Sequence, residues 1–244
     1  MIKNFFYLVF LFFLLIISFL VVVLPYFFLK LLRMRRAARF IMYTLGRCTH
    51  RMAILGTGSR VELRGFHNFP ENAERICFIS NHQSYFDILL IVGYLPVITG
   101  FVAKKEIKKV PLLNLWTIAL GSVFIDRKSY RSAIESIKQG VKYIKAGQPL
   151  LIFPEGTRSK SGTMGAFKAG SFKLAFDSDA VIVPLTVNKT YRIFEDNGRI
   201  NGADITLTVH PPVETAGLGK GEKKTLVGEL EKIVHSGLVA TEES

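Results

Sequence analysis

Between residues 5 and 29 the chain carries no charged side chain, and only Ser18 and Pro25 interrupt an otherwise apolar and aromatic run. Residues 5–24 alone are long enough to cross roughly 30 Å of hydrocarbon. The run is longer than a signal-peptide core, and no small-residue cleavage site follows it. Lys30, Arg33, Arg35, Arg36 and Arg39 come next, a positive cluster that assigns the downstream side to the cytoplasm. Residues 37–55 then mix Phe40, Ile41, Leu45, Met52 and Ile54 with Arg39, Arg47 and Arg51. This pattern predicts a second helix lying in the headgroup layer. Residues 1–55 are therefore expected to form a helical membrane anchor, and residues 56–244 a separate domain.

That domain reads as alternating strands and helices. Short apolar runs predict strands over 61–65, 76–80, 99–103, 122–125, 150–153, 181–186 and 205–209. Between the fourth and fifth, Ser132 and Glu135 suggest a capping-box helix start. Ile134, Ile137, Val141 and Ile144 follow on one helical face, with Lys138, Lys142 and Lys145 turned away. Gly147, Gln148 and Pro149 end that helix. A final helix is expected over 223–235, and a frayed tail over 240–244. The alternation predicts an α/β fold, a largely parallel mixed sheet flanked by helices, with antiparallel strands added near the C-terminus.

Lys and Arg number 32 against 19 Asp and Glu, a formal net charge of +13, which draws a chain toward anionic lipid surfaces. Nucleic acid would answer the same charge, but no groove-reading helix, zinc spacing or RNA-binding aromatic signature accompanies it. Of the two cysteines, Cys48 and Cys77, the second falls in a predicted buried strand. That argues for a reducing cytoplasm rather than a disulfide framework.

Polar clusters stand where strands end. The run 76–80 delivers Asn81-His82-Gln83-Ser84-Tyr85-Phe86-Asp87. A His held by a carboxylate is a general base with a fixed tautomer. Asp87 lies too far round a helix to face His82, so the chain must turn between them. Taken alone, the pair is better explained by a strand-capping His82 and a helix-capping Asp87. The run 150–153 delivers Pro154-Glu155-Gly156-Thr157-Arg158-Ser159. Gly156 allows close backbone approach, Thr157 offers a hydroxyl, and Arg158 offers a planar fork suited to phosphate. Between them, Gly121-Ser122-Val123-Phe124-Ile125 ends in Asp126-Arg127. Three such strand ends suggest one shared cleft. There is no Gly-x-Ser-x-Gly elbow, His-Glu-x-x-His, phosphate loop or dinucleotide fingerprint. No protein nucleophile is recognisable, so a covalent enzyme intermediate is not expected, and neither a metal nor another cofactor is called for.

Four blocks, Asn81-His82 with Asp87, Phe124-Ile125-Asp126-Arg127, Phe153 to Ser159, and Val181-Ile182-Val183-Pro184-Leu185, resemble in order and spacing those of the glycerolipid acyltransferases. Among these the likeness is nearest to the bacterial 1-acyl-sn-glycerol-3-phosphate group. Val102 to Ile107 and Phe167 to Gly170 resemble flanking stretches of the same family. Leu185 departs from the smaller residues common there, which bears on the shape of an acyl pocket. The resemblance spans roughly residues 60–215 and implies direct acyl transfer from a thioester, acyl-CoA or acyl carrier protein, to the sn-2 hydroxyl of lysophosphatidate, giving phosphatidate. It implies His82 as base and Asp87 as its orienter. Arg158, assisted by Lys104 and Arg127, would hold the acceptor phosphate in a pocket shaped by Glu155, Gly156 and Thr157. For Asp126 and Arg127 a structural ion pair stands as an equal alternative. The resemblance also allows the first two helices to dip into one leaflet, with Pro25 bending the first. A spanning anchor and a monotopic one at the cytoplasmic face of the inner membrane both remain open. The alternatives are transfer to glycerol-3-phosphate or another lysophospholipid, or hydrolysis of an acyl thioester by the same dyad. The phosphate-suited turn at Arg158 argues against the hydrolase, and the His82/Asp87 pair against a non-catalytic lipid binder.

Overall fold

The apolar N-terminal run folds as one long helix built of α1 (Ile2–Ser18), a π turn (Phe19–Val23) and α2 (Leu24–Leu31). These elements are seen in a computed structural model of the chain that describes residues 2–70, 73–126 and 128–239. Pro25 does not end the helix. The π turn lies where the proline ring would otherwise meet the carbonyl of Val21, one turn back. The chain reverses instead at Arg33, in a left-handed conformation. A second helix then returns along the first as α3 (Arg35–Ile41), a π turn (Met42–Gly46) and α4 (Arg47–Leu55). The Tyr7 hydroxyl donates to the Ala53 carbonyl at 2.8 Å and ties the two helices together.

This hairpin lies lengthwise on the rest of the chain. The Asn4 amide donates to the Gly198 carbonyl and accepts the Ile200 N–H, both at 2.8 Å. Ser18, the polar break in the apolar run, is buried and accepts the Trp116 indole N–H at 3.2 Å. Val22 and Val23 are fully buried, whereas Phe5, Phe6, Phe12, Phe13, Leu20 and Phe28 on the outer face are exposed. The helix Ile2–Leu31 is the only one among the described residues long and apolar enough to cross a membrane.

Among the described residues seven strands make one sheet, β1 (Arg60–Arg64), β2 (Ile76–Ser80), β3 (Gly100–Lys104), β4 (Val123–Ile125), β5 (Leu150–Ile152), β6 (Val181–Asn188) and β7 (Asp204–Val209). Their order is β1-β7-β6-β2-β5-β3-β4. β6, β2, β5, β3 and β4 run parallel, while β7 is antiparallel to β6 and parallel to β1. All seven expected strands are present, with ends shifted by one or two residues.

Every residue of β2 is buried, as a central parallel strand covered on both faces should be. Ile76 and Phe78 face a layer of Tyr7, Val22, Ile54, Leu90, Ile91 and Trp116. These come from the hairpin, α5 (Phe86–Tyr94) and α6 (Leu113–Ala119). Cys77 and Ile79 face the opposite layer, with Ile144, Leu174, Leu230 and Val234. That layer is built by α7 (Tyr130–Lys145), α8 (Lys173–Phe176) and α9 (Lys220–Val239). Both cysteines are free thiols.

α7 starts earlier than a Ser132 cap predicts. Ser129 holds extended backbone geometry and its side chain accepts the Ser132 N–H. Ser132 is thus the third helical residue, and Glu135 pairs with Arg131 on the exposed surface. The expected frayed tail at 240–244 lies outside the described residues.

Candidate active site

Five parallel strands deliver their carboxyl ends to one edge of the sheet, the edge where open α/β folds hold ligands. β2 and β5 are neighbours there, so the turn after β2 and the turn after β5 meet. One carries His82 and the other Glu155 and Arg158. Lys104 closes β3 and Thr190 follows β6 on the same edge.

The chain turns after His82 and enters α5 with Asp87 in its first turn. His82 Nδ1 lies 2.7 Å from Asp87 Oδ2. The same oxygen accepts the N–H of Gln83 at 2.7 Å and of Ser84 at 2.9 Å. Thr190 donates its hydroxyl to the other oxygen. A fully buried carboxylate is costly unless satisfied in this way. The bond assigns the proton to Nδ1, leaving Nε2 with a lone pair. Nε2 has no hydrogen-bond partner among the described residues, and the imidazole keeps 16% of its surface exposed. Phe153 stacks on the ring, with centroids 3.9 Å apart and planes 15° from parallel. Tautomer, ring plane and direction are thereby all fixed.

Glu155 is buried, and its carboxylate faces backbone rather than the open edge. Oε1 accepts the His82 N–H at 2.6 Å and Oε2 the Gly165 N–H at 2.8 Å. Burial raises its carboxyl above the ordinary value, opposed by those two N–H bonds. The Ser159 N–H returns to the His82 carbonyl at 2.8 Å, so both backbone groups of His82 are held by the Glu155 turn. Gly156 takes a left-handed conformation, and a Cβ there would lie 2.9 Å from Lys168 Nζ. A side chain here would be strained by that backbone conformation, while Lys168, whose flexible end is the near neighbour, could move aside. Thr157 is exposed.

Arg158 Nη1 lies 2.9 Å from Glu195 Oε1, and the guanidinium stacks on Tyr85 at 3.4 Å from the ring centroid. Glu195 also accepts the Ser84 hydroxyl at 2.6 Å and the Tyr85 N–H at 2.9 Å. The other expected phosphate ligands are less committed. Lys104 Nζ is 3.5 Å from Glu106, with 62% of its side chain exposed. Arg127 lies outside the described residues. Asp126 forms an ion pair with Lys105 at 2.5 Å. Among the described residues no group of three or more His, Cys, Asp or Glu is arranged to hold a metal ion.

The sequence reading missed Glu195, Thr190, Tyr85 and Phe153 as parts of the site. Phe153 and Tyr85 had local signals, the first as the last apolar residue before the Glu155 turn and the second by lying between His82 and Asp87. The helix carrying Asp87 is fastened at its far end too. Arg47 and Arg51 of α4 donate to the Gly93 and Tyr94 carbonyls, capping the negative end of α5. Two of the hairpin's basic residues therefore serve the domain and not a headgroup.

Residues 60–188 match the family model described as Acyltransferase. The chain is 28% identical to a 1-acyl-sn-glycerol-3-phosphate acyltransferase of Borreliella burgdorferi, over 76% of this chain and 74% of that protein. It is 33% identical to the alpha form of that enzyme in Homo sapiens, over 76% of this chain and 65% of the human protein. With the chloroplastic counterpart of Brassica napus it shares 31% identity, over 63% of this chain and only 45% of the plant protein's length. Among solved structures, the crystal structure of the 1-acyl-sn-glycerophosphate (LPA) acyltransferase of Thermotoga maritima is similar, with a TM-score of 0.76. It is 26% identical, and the likeness covers 94% of this chain and 98% of that one.

Proposed function

The chain belongs to the acyltransferase family, and we propose that it acylates the sn-2 hydroxyl of 1-acyl-sn-glycerol-3-phosphate to give phosphatidate. The donor is a thioester, acyl-CoA or acyl carrier protein. The observation that carries this reading is the His82–Asp87 pair, with Nε2 open on the same sheet edge as the guanidinium of Arg158.

In the proposed reaction, Nε2 of His82 takes the proton of the sn-2 hydroxyl as that oxygen attacks the thioester carbonyl. A C–O bond forms, the tetrahedral oxyanion collapses, and the C–S bond breaks, the departing thiolate sulfur taking the proton back from the imidazolium so that His82 is again neutral. Asp87 holds the tautomer and stabilises the imidazolium formed on the way. Arg158 binds the acceptor phosphate through its planar fork, with Lys104 and Arg127 supplying further positive charge. Glu155 is assigned a different task from phosphate contact. A carboxylate repels phosphate, and this one holds the backbone of His82.

Residues 1–55 act as the anchor and residues 56–244 as the catalytic domain. We assign the enzyme to the cytoplasmic face of the inner membrane, as a monotopic protein. Asn4 and Ser18 hydrogen-bond the helix to the domain, Tyr7 packs on Phe86 and Val22 is buried, which supports a monotopic arrangement over a spanning one. Its exposed aromatic face is suited to one leaflet, and Lys30, Arg33, Arg35, Arg36 and Arg39 to anionic headgroups.

The test is incubation of the purified full-length protein with lysophosphatidate and each thioester donor, with products identified by mass spectrometry. Phosphatidate is the expected product. Free fatty acid alone would replace transfer by hydrolysis.

A further inference from the structure

One buried carboxylate at the site takes no part in the steps above. Glu195 lies between β6 and β7, beyond the residues 60–188 matched by the family model, and only 3% of its side chain is exposed. Three donors converge on it. The Ser84 hydroxyl binds Oε2, and the Tyr85 N–H and Arg158 Nη1 share Oε1. A carboxylate removed from water at this cost holds whatever it pairs with in a defined geometry. Arg158 is fixed twice, at one nitrogen by Glu195 and across one face by the Tyr85 ring. Among the described residues nothing else accepts from this guanidinium. Its side-on edge, formed by Nε and Nη2, is therefore left whole, and this is an edge that grips phosphate oxygens in pairs.

We propose that Glu195, with Tyr85 as platform, is a positioning residue for the acceptor phosphate. It sets the guanidinium before substrate arrives. Preorganisation of this kind acts on acceptor affinity and leaves the donor and the proton transfer alone. The inference rests on the acceptor carrying a phosphate, as proposed above. If Glu195 instead competed with phosphate for Arg158, its removal would tighten acceptor binding.

The experiment titrates lysophosphatidate and then the thioester donor against full-length protein in phosphatidylglycerol vesicles. Wild type is compared with Glu195→Ala, Glu195→Gln and Tyr85→Leu. The acceptor KM is expected to rise about tenfold in Glu195→Ala, with the donor KM unchanged and kcat within about twofold. Glu195→Gln, which keeps an acceptor oxygen, recovers most of the loss. Tyr85→Leu alters an exposed side chain, threatens the fold least, and is expected to raise the acceptor KM about threefold. A phosphate-free acceptor, 1-acylglycerol, should be acylated at the same low rate by wild type and Glu195→Ala. An unchanged or lower acceptor KM in Glu195→Ala, or an equal loss on 1-acylglycerol, would overturn the proposal. Wild-type protein that ignores lysophosphatidate but acylates another phosphate-bearing acceptor would overturn the acceptor assignment alone. The same comparison on that acceptor then decides the role of Glu195.

Discussion

The Glu155 carboxylate accepts the backbone N–H of His82 at 2.6 Å, so the turn after β5 holds the chain that carries the base. Glutamine at this position has one acceptor oxygen where two N–H groups, of His82 and Gly165, need one each. One N–H would face a donor, at a cost of about 1–3 kcal/mol. Glu155→Gln is expected to lower kcat by about tenfold or more, with a smaller change in acceptor KM, in steady-state kinetics.

The same residue predicts a pH dependence of stability. Burial raises the Glu155 carboxyl above its ordinary 4.5, so the folded state holds that proton more tightly than the unfolded chain does. The stability this group contributes is fully present below 4.5 and is lost as pH rises through the raised value. Thermal unfolding of wild type and Glu155→Gln across this range reads the difference. Wild type should lose ground to the variant as pH rises, and a gain would contradict the sign.

Arg158→Lys keeps the charge but loses the planar fork and the flat contact with Tyr85. Acceptor affinity should fall while donor affinity holds, as read by separate substrate titrations. Equal weakening of both would make the Arg158 turn structural.

Deleting residues 1–55 removes more than a tether. Tyr7 packs on Phe86, Ser18 holds Trp116, and Arg47 and Arg51 cap the helix that carries Asp87. The truncated protein is expected to aggregate, and an unrelated single-span anchor should fail to restore activity on bilayers. A monomeric, soluble truncation fully active on bilayer substrate would refute this role of the hairpin.

Local signals made the strand positions and the His82–Asp87 pair legible, because short apolar runs ending in polar clusters report themselves within a few residues. What stayed hidden depends on distant contacts. Glu195 reaches Ser84 across 111 positions and Thr190 reaches Asp87 across 103, and no pattern near either residue signals its partner. The hairpin's reversal at Arg33 was hidden for another reason. Pro25 is the stronger breaker by propensity, yet the preceding π turn absorbs it. Ser129 likewise outcompetes Ser132 as cap through its extended backbone, which no spacing rule reveals.

The base itself offers the most direct measurement. Replacing His82 removes the only group proposed to take the acceptor's proton, while Asp87 keeps its bonds to Thr190 and to the Gln83 and Ser84 N–H groups. His82→Ala is assayed for phosphatidate formation from lysophosphatidate and acyl thioester, at matched expression and membrane binding. Turnover should fall by about 10²–10⁴-fold with the thermal midpoint little changed. Near-normal turnover in that variant would contradict base catalysis by His82, and with it the proposed mechanism.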